Sequence, residues 1–251
     1  MLLSALRRAC CLTGLLCWAV LAAVAPKANA ADAPPDWANL ARYREANAQL
    51  LAGPPDAQRV VFMGDSITEG WSAGDPGFFA SSSRINRGIS GQTTPQMLVR
   101  FRDDVIALKP CVVVILAGTN DIAGNTGPAT EDQMAGHVAS MVELAQAAGI
   151  RVVLLSVLPA DRYWWNTALK PAPRIVRLNQ LLQQVAQQRG VAWVDLHPLM
   201  NDGKDGLLHA YGEDGVHPNK AGYGAMRQPV LDALNAAMSA AMSAAMAAAP
   251  R

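Results

Sequence analysis

Charge is scarce and balanced in this 251-residue chain. Only 16% of its residues are charged, 21 basic against 20 acidic, for a formal net charge of +1. Proteins that grip nucleic acid or an acidic polymer usually carry a basic excess or patch, so no nucleic-acid partner is expected. Cysteine is scarce too. Cys10, Cys11 and Cys17 lie near the start of the chain, and only Cys111 lies beyond them. A chain that loses its first thirty residues therefore has no internal disulfide. No His-x-x-x-His pair and no paired-cysteine motif occurs, and no metal or other cofactor is expected. What is abundant is apolar surface. At 51% hydrophobic content the chain can bury enough of it to offset the entropy of ordering, which excludes the disordered class.

The start of the chain has the layout of an export signal. Arg7 and Arg8 precede an apolar run from Cys10 to Ala25, and Ala28-Asn29-Ala30 supplies small residues at the positions a signal peptidase reads. Residues 1–30 are expected to be a signal peptide cleaved after Ala30. The apolar run, roughly 16 residues, is short for a bilayer span of about 20. No stable membrane span is expected after processing, and the product is expected to be periplasmic or secreted.

Downstream, apolar runs alternate with helical periodicity. Strands are expected at Arg59–Met63, Arg84–Gly88, Val112–Ala117, Arg151–Val157 and Val191–Val194. Helices are expected at Trp37–Leu51, Thr94–Leu108, Glu131–Ala148 and Pro173–Gln188. The continuous run Cys111–Ala117 is the kind found inside a parallel sheet, where Cys111 reads as a small hydrophobe. The alternation predicts an α/β fold, three layers α/β/α, around a parallel sheet of about five strands. One domain is expected over residues 31–235. Residues 236–251, almost only Ala, Ser and Met with Met238, Met242 and Met246 four apart, read as a low-complexity helical tail.

In such sheets ligands bind beyond the carboxyl ends of the strands. Ser66 follows the first strand and the turn Gly64-Asp65. A serine there is either the N-cap of a helix or a nucleophile, and a nucleophilic serine needs a base to take its proton. Four histidines are available. His137 lies inside a helix and reads as structural. Asp195 with His197, and Asp205 with His209, are competing pairs. Asp214-Gly-Val-His217 lies in a Gly- and Pro-containing loop before the last helix. Its spacing of three lets a carboxylate hold one imidazole nitrogen while the other faces outward. Gly88, in Asn86-Arg-Gly88-Ile-Ser-Gly91, lets a backbone N–H approach a ligand closely. Asn120, in Gly118-Thr-Asn120-Asp121, offers a side-chain amide at a strand end.

Together these four blocks resemble the SGNH hydrolases, a subgroup of the GDSL-type esterases, over about Arg59 to Ala225. Ile67 stands where the name-giving motif has Leu. The resemblance implies that Ser66 attacks an acyl carbonyl, that His217 is the general base and then the general acid, and that Asp214 orients it. It also implies an oxyanion hole from the Ser66 N–H, the Gly88 N–H and the Asn120 side chain. The block containing Asn120 is similar to those of platelet-activating-factor acetylhydrolase-like and lysophospholipase-like enzymes.

The substrate is expected to be a small-molecule or saccharide ester with a short acyl chain, acetyl above all. After the fourth strand, Leu158–Asn166 carries three adjacent aromatics, Tyr163, Trp164 and Trp165. They offer flat surfaces to sugar rings or pack the loop onto the body. Of two adjacent tryptophans on an extended loop, one is expected to face the cleft and the other to pack inward. Asp65, beside Ser66, is a further candidate substrate contact. A lysophospholipase or thioesterase on the same triad, and a non-catalytic binding module of the same fold, are the other classes the sequence allows. A homo-oligomer is compatible with it.

Overall fold

The computed structural model describes residues 35–248, with side chains through residue 240. The expected signal peptide therefore lies outside the described residues. So do residues 249–251 of the tail. Among the described residues no helix is long and apolar enough to cross a membrane.

Five strands form one parallel sheet: β1 Val60–Gly64, β2 Arg84–Gly88, β3 Val112–Leu116, β4 Arg151–Leu155 and β5 Ala192–Val194. Their order is β2-β1-β3-β4-β5. The connecting helices are α1 Arg44–Ala52, α2 Ser66–Gly74, α3 Thr94–Asp104, α4 Thr119–Ala123, α5 Glu131–Ala147, α6 Pro171–Arg189, α7 His197–Met200 and α8 Lys220–Ala248. Strand side chains alternate between two cores, as the period of two requires. Val61, Met63, Val113, Ile115, Val152 and Leu154 pack under α3, α5 and α6. Val60, Phe62, Val112, Val114, Val153 and Leu155 pack under α2 and α8. The sheet is thus covered on both faces, which is why its strands read as unbroken apolar runs. Gly64 pairs with Gly88 on one side and Leu116 on the other, so the strands end along a common edge. The strand order reverses between β1 and β3, and that switch point is where open α/β sheets bind ligands.

Local chemistry moved several element ends. The first helix starts at Arg44 instead of Trp37. The Asp36 carboxylate accepts from the N–H groups of Leu40 and Ala41, both at 2.8 Å, and Asn39 is left-handed at φ 55°, so turns fill residues 37–43. The third helix stops at Asp104, because Val105 leaves helical geometry and Ile106–Leu108 tighten into a 3₁₀ turn. The last helix runs on from the domain into the expected helical tail, to Ala248, and Ala237 and Met238 still pack against the core.

Candidate active site

Gly64 ends β1 where only a glycine fits. A Cβ there would stand 2.0 Å from Thr68 Oγ1 and 2.8 Å from the Leu116 carbonyl. That close approach lets α2 start directly off the strand. Asp65 caps it, its Oδ1 accepting from the Ile67 N–H at 3.0 Å. Ser66 is the first helical residue and half-buried. As a first-turn residue its N–H has no helical acceptor.

The Ser66 hydroxyl meets His217 Nε2 at 3.0 Å. His217 Nδ1 meets Asp214 Oδ2 at 2.7 Å. Asp214 Oδ1 accepts from the N–H groups of Val216 at 2.9 Å and His217 at 2.8 Å. Gly215, at φ +78°, turns the loop so that both side chains face the same way. Partial burial alone would raise the Asp214 carboxyl. The hydrogen bonds from His217 and Val216 outweigh it and hold Asp214 below the ordinary carboxylate range. An ionised Asp214 keeps the proton on Nδ1, which leaves Nε2 as acceptor for the serine hydroxyl. Such a chain can draw a proton from Ser66 as its oxygen attacks an electrophile.

The competing histidines lie elsewhere. His197 opens α7, its N–H donating to Ser156 Oγ at 2.9 Å. It lines a crevice of about 160 Å³ with Trp193 and α6 residues, and burial lowers its pKa. His209 is exposed. His137 Nδ1 meets Thr94 Oγ1 at 2.9 Å.

Two expected donors fare differently. Asn120 is buried beside Ser66's turn, its Nδ2 donating to the Gln92 carbonyl at 3.1 Å and standing 3.4 Å from Asp65 Oδ2. The Gly88 N–H is engaged within the protein. That N–H donates to Asn86 Oδ1 at 2.8 Å, and a Cβ on Gly88 would stand 2.1 Å from the Glu69 nitrogen. Gly88 is the spacer that lets β2 pack on α2. Gly91, three residues on, closes the same segment and was passed over in favour of Gly88. Gly91 is exposed and left-handed at φ +78°, and a Cβ there would make only an ordinary contact, 3.8 Å from Asn125 Nδ2. Asn125 Nδ2 donates to both the Gly91 carbonyl and Asn120 Oδ1, each at 3.0 Å. Gly91 is therefore the glycine tied to Asn120. The signal was available, since a second glycine five residues after Asn86 marks the turn itself.

Asp65 and Tyr163, expected to meet substrate, are interior. Asp65 is 1% exposed. Burial raises its carboxyl to about 7, opposed by the Ile67 N–H and by His217. Tyr163 is 0% exposed. It is the aromatic that anchors the loop, so the expected division between the two tryptophans does not hold. Trp164 is 63% and Trp165 36% exposed. Trp165 stacks on Tyr163, centroids 4.9 Å apart, with its own ring 6.4 Å from that of His217. Trp164 stands edge-on to Trp165.

A cavity of about 1050 Å³ lies along β2 and the α1–β1 loop and shares no residue with the Ser66–His217–Asp214 chain. Size is a weaker guide than chemistry here, because nothing in that cavity pairs a nucleophile with a base. No group of three or more metal-ligating side chains occurs among the described residues.

Residues 62–225 match the family model for the GDSL-like lipase/acylhydrolase family. The chain belongs to this family. A GDSL-like lipase of known structure from Bacteroides thetaiotaomicron is 46% identical, with a TM-score of 0.77, over 80% of this chain and 98% of that one. Esterase TesA of Pseudomonas aeruginosa is 30% identical over 67% of this chain and 84% of its own. An acetylxylan esterase of Xylanibacter ruminicola is 27% identical over 74% of this chain, and the match spans only 45% of that longer protein. A GDSL-family member with such relatives is a carboxylic ester hydrolase.

Proposed function

We propose that this GDSL-family esterase is exported and removes short acyl groups, acetyl above all, from saccharides through Ser66, His217 and Asp214. The contact that carries the reading is the unbroken path from Ser66 Oγ through the His217 ring to Asp214, at 3.0 and 2.7 Å. Ser66 Oγ attacks the ester carbonyl as His217 Nε2 takes its proton. Asp214 stabilises the imidazolium that results. The negative charge on the former carbonyl oxygen is met by the Ser66 N–H, the Gly91 N–H and the Asn120 amide. Collapse expels the alcohol, which takes the proton from His217, and leaves an acyl ester on Ser66. Water, activated by the same histidine, then releases the carboxylic acid. Cleavage after Ala30 would deliver the domain to the periplasm or medium, where acetylated polysaccharides are found.

The saccharide assignment draws on the acetylxylan esterase relative and on Trp164, whose exposed ring offers a stacking surface away from the reacting carbonyl. Acetylated xylooligosaccharides, p-nitrophenyl esters of increasing chain length, and acyl-CoA form the test. Preference for acetyl, with Trp164→Ala lowering kcat/KM on the oligosaccharide and sparing p-nitrophenyl acetate, supports the reading. Preference for long acyl chains or for acyl-CoA makes the chain a lysophospholipase or thioesterase on the same triad.

A further inference from the structure

We propose that Arg100, a buried α3 residue outside the reacting groups, is a positioning residue that sets the geometry of the oxyanion donors. The inference rests on the catalytic reading above. Arg100 is 0% exposed, and a buried guanidinium is retained only where each of its donors finds work. Its NH2 donates to the Gly64 carbonyl at 3.0 Å, two residues before Ser66. Its Nε donates to Gln92 Oε1 at 2.5 Å. Its NH1 pairs with Asp104 at 3.0 Å, whose other oxygen accepts from Asn47 Nδ2 at 2.7 Å.

These contacts tie together the two pieces of chain that must stay in register. The Gly64 carbonyl also accepts the Ile89 N–H at 3.0 Å, so one oxygen joins the nucleophile strand, the 89–92 loop and α3. Gln92 is held by its side chain to Arg100 and to the Ala38 carbonyl at 2.8 Å, and its own carbonyl accepts from Asn120 Nδ2 at 3.1 Å. Gly91 is the residue before it. The guanidinium therefore braces the Ser66 turn, Gly91 and Asn120 from beneath, with Asp104 balancing its charge. Donors to an oxyanion act in the transition state and hardly at all on bound ester. Loosening the brace should therefore lower kcat and leave KM in place.

Two variants test this, measured per active site on p-nitrophenyl acetate, alongside wild type and Ser66→Ala. Arg100→Lys keeps a cation for Asp104, but a single ammonium cannot span the Gly64, Gln92 and Asp104 acceptors. The pair Arg100→Met with Asp104→Leu removes the buried charges together, a replacement that folds tolerate. Each should lower kcat by about 10- to 100-fold, up to the loss for one donor, with KM within about twofold. Affinity for a trifluoromethyl ketone, which forms a tetrahedral oxyanion adduct on a serine, should fall in parallel. A purely structural arginine would change the melting temperature and leave kcat per active site and ketone affinity untouched. That outcome overturns the proposal. Activity that survives Ser66→Ala overturns the catalytic reading beneath it.

Discussion

At the scale of single residues, the proposed mechanism divides the labour among Ser66, His217 and Asp214, and their neighbours set the terms. Ser66→Ala and His217→Ala should each remove nearly all ester hydrolysis, to a similar extent, because such groups act as a unit. His197→Ala and His209→Ala should cost less than about tenfold in kcat/KM, since neither ring touches Ser66. Asp65 makes a pH prediction. Its folded pKa, about 7, stands above its ordinary value of 3.8. The folded protein therefore binds more protons than the unfolded chain between those values. Stability should fall as pH rises through that window and level off above it, by a few kcal/mol at most. Asp65→Asn keeps a capping oxygen and removes the charge. The difference in urea stability between Asp65→Asn and wild type should then grow from pH 4 to pH 7. A difference independent of pH would mean that Asp65 is not buried as an acid.

Residue identity made much of the candidate site legible. Ser66, Asn120, Asp214 and His217 stand at strand ends or in the last loop, and the Gly- and Pro-containing loop together with its spacing of three favoured Asp214 with His217 over its rivals. What the sequence could not display is direction. Gly88 and Gly91 lie in one stretch, and only the fold shows that the Gly88 N–H donates to Asn86 Oδ1 while Gly88 packs against α2. Asp65 and Tyr163 were invisible as interior residues for a similar reason. A loop aromatic or a turn aspartate carries no mark of burial until the neighbouring elements are in place.

At the scale of elements, the edge at Gly64 and Gly88 depends on close contact of α2 with β1 and β2. Gly88→Ala would drive a methyl into the backbone at Glu69. It should cost about 1–3 kcal/mol in thermal or chemical unfolding, the usual range for an overpacked site, and lower kcat as α2 shifts Ser66. Gly91→Ala would make only an ordinary contact, 3.8 Å from Asn125 Nδ2, and should weaken activity more than stability, as strain at φ +78° shifts the Gly91 N–H. Strand positions were readable in sequence because both faces of the sheet are covered and the runs are unbroken. Helix ends were less so. The early turns closed by Asp36 and the left-handed Asn39 compete locally with a helix that the apolar spacing alone would have started at Trp37.

At the scale of the whole molecule, the three layers bring the ends of β1 and β3 together where the sheet order reverses, and the candidate site lies there. α8 closes the second face, with Val230 and Leu234 fully buried. A chain ended after Ala240 should keep its melting temperature within a few degrees and its esterase activity. One ended after Arg227 loses both residues and should fail to fold, as each buried aliphatic side chain removed costs about 2–5 kcal/mol.

The central claim is that Ser66 is the nucleophile of this esterase. A fluorophosphonate reacts with an activated serine and leaves a covalent adduct that peptide mass spectrometry can locate. The adduct should appear on Ser66 alone, in step with loss of p-nitrophenyl acetate hydrolysis, and should not form in His217→Ala. An adduct on another serine, or full inactivation with Ser66 unmodified, would contradict the account.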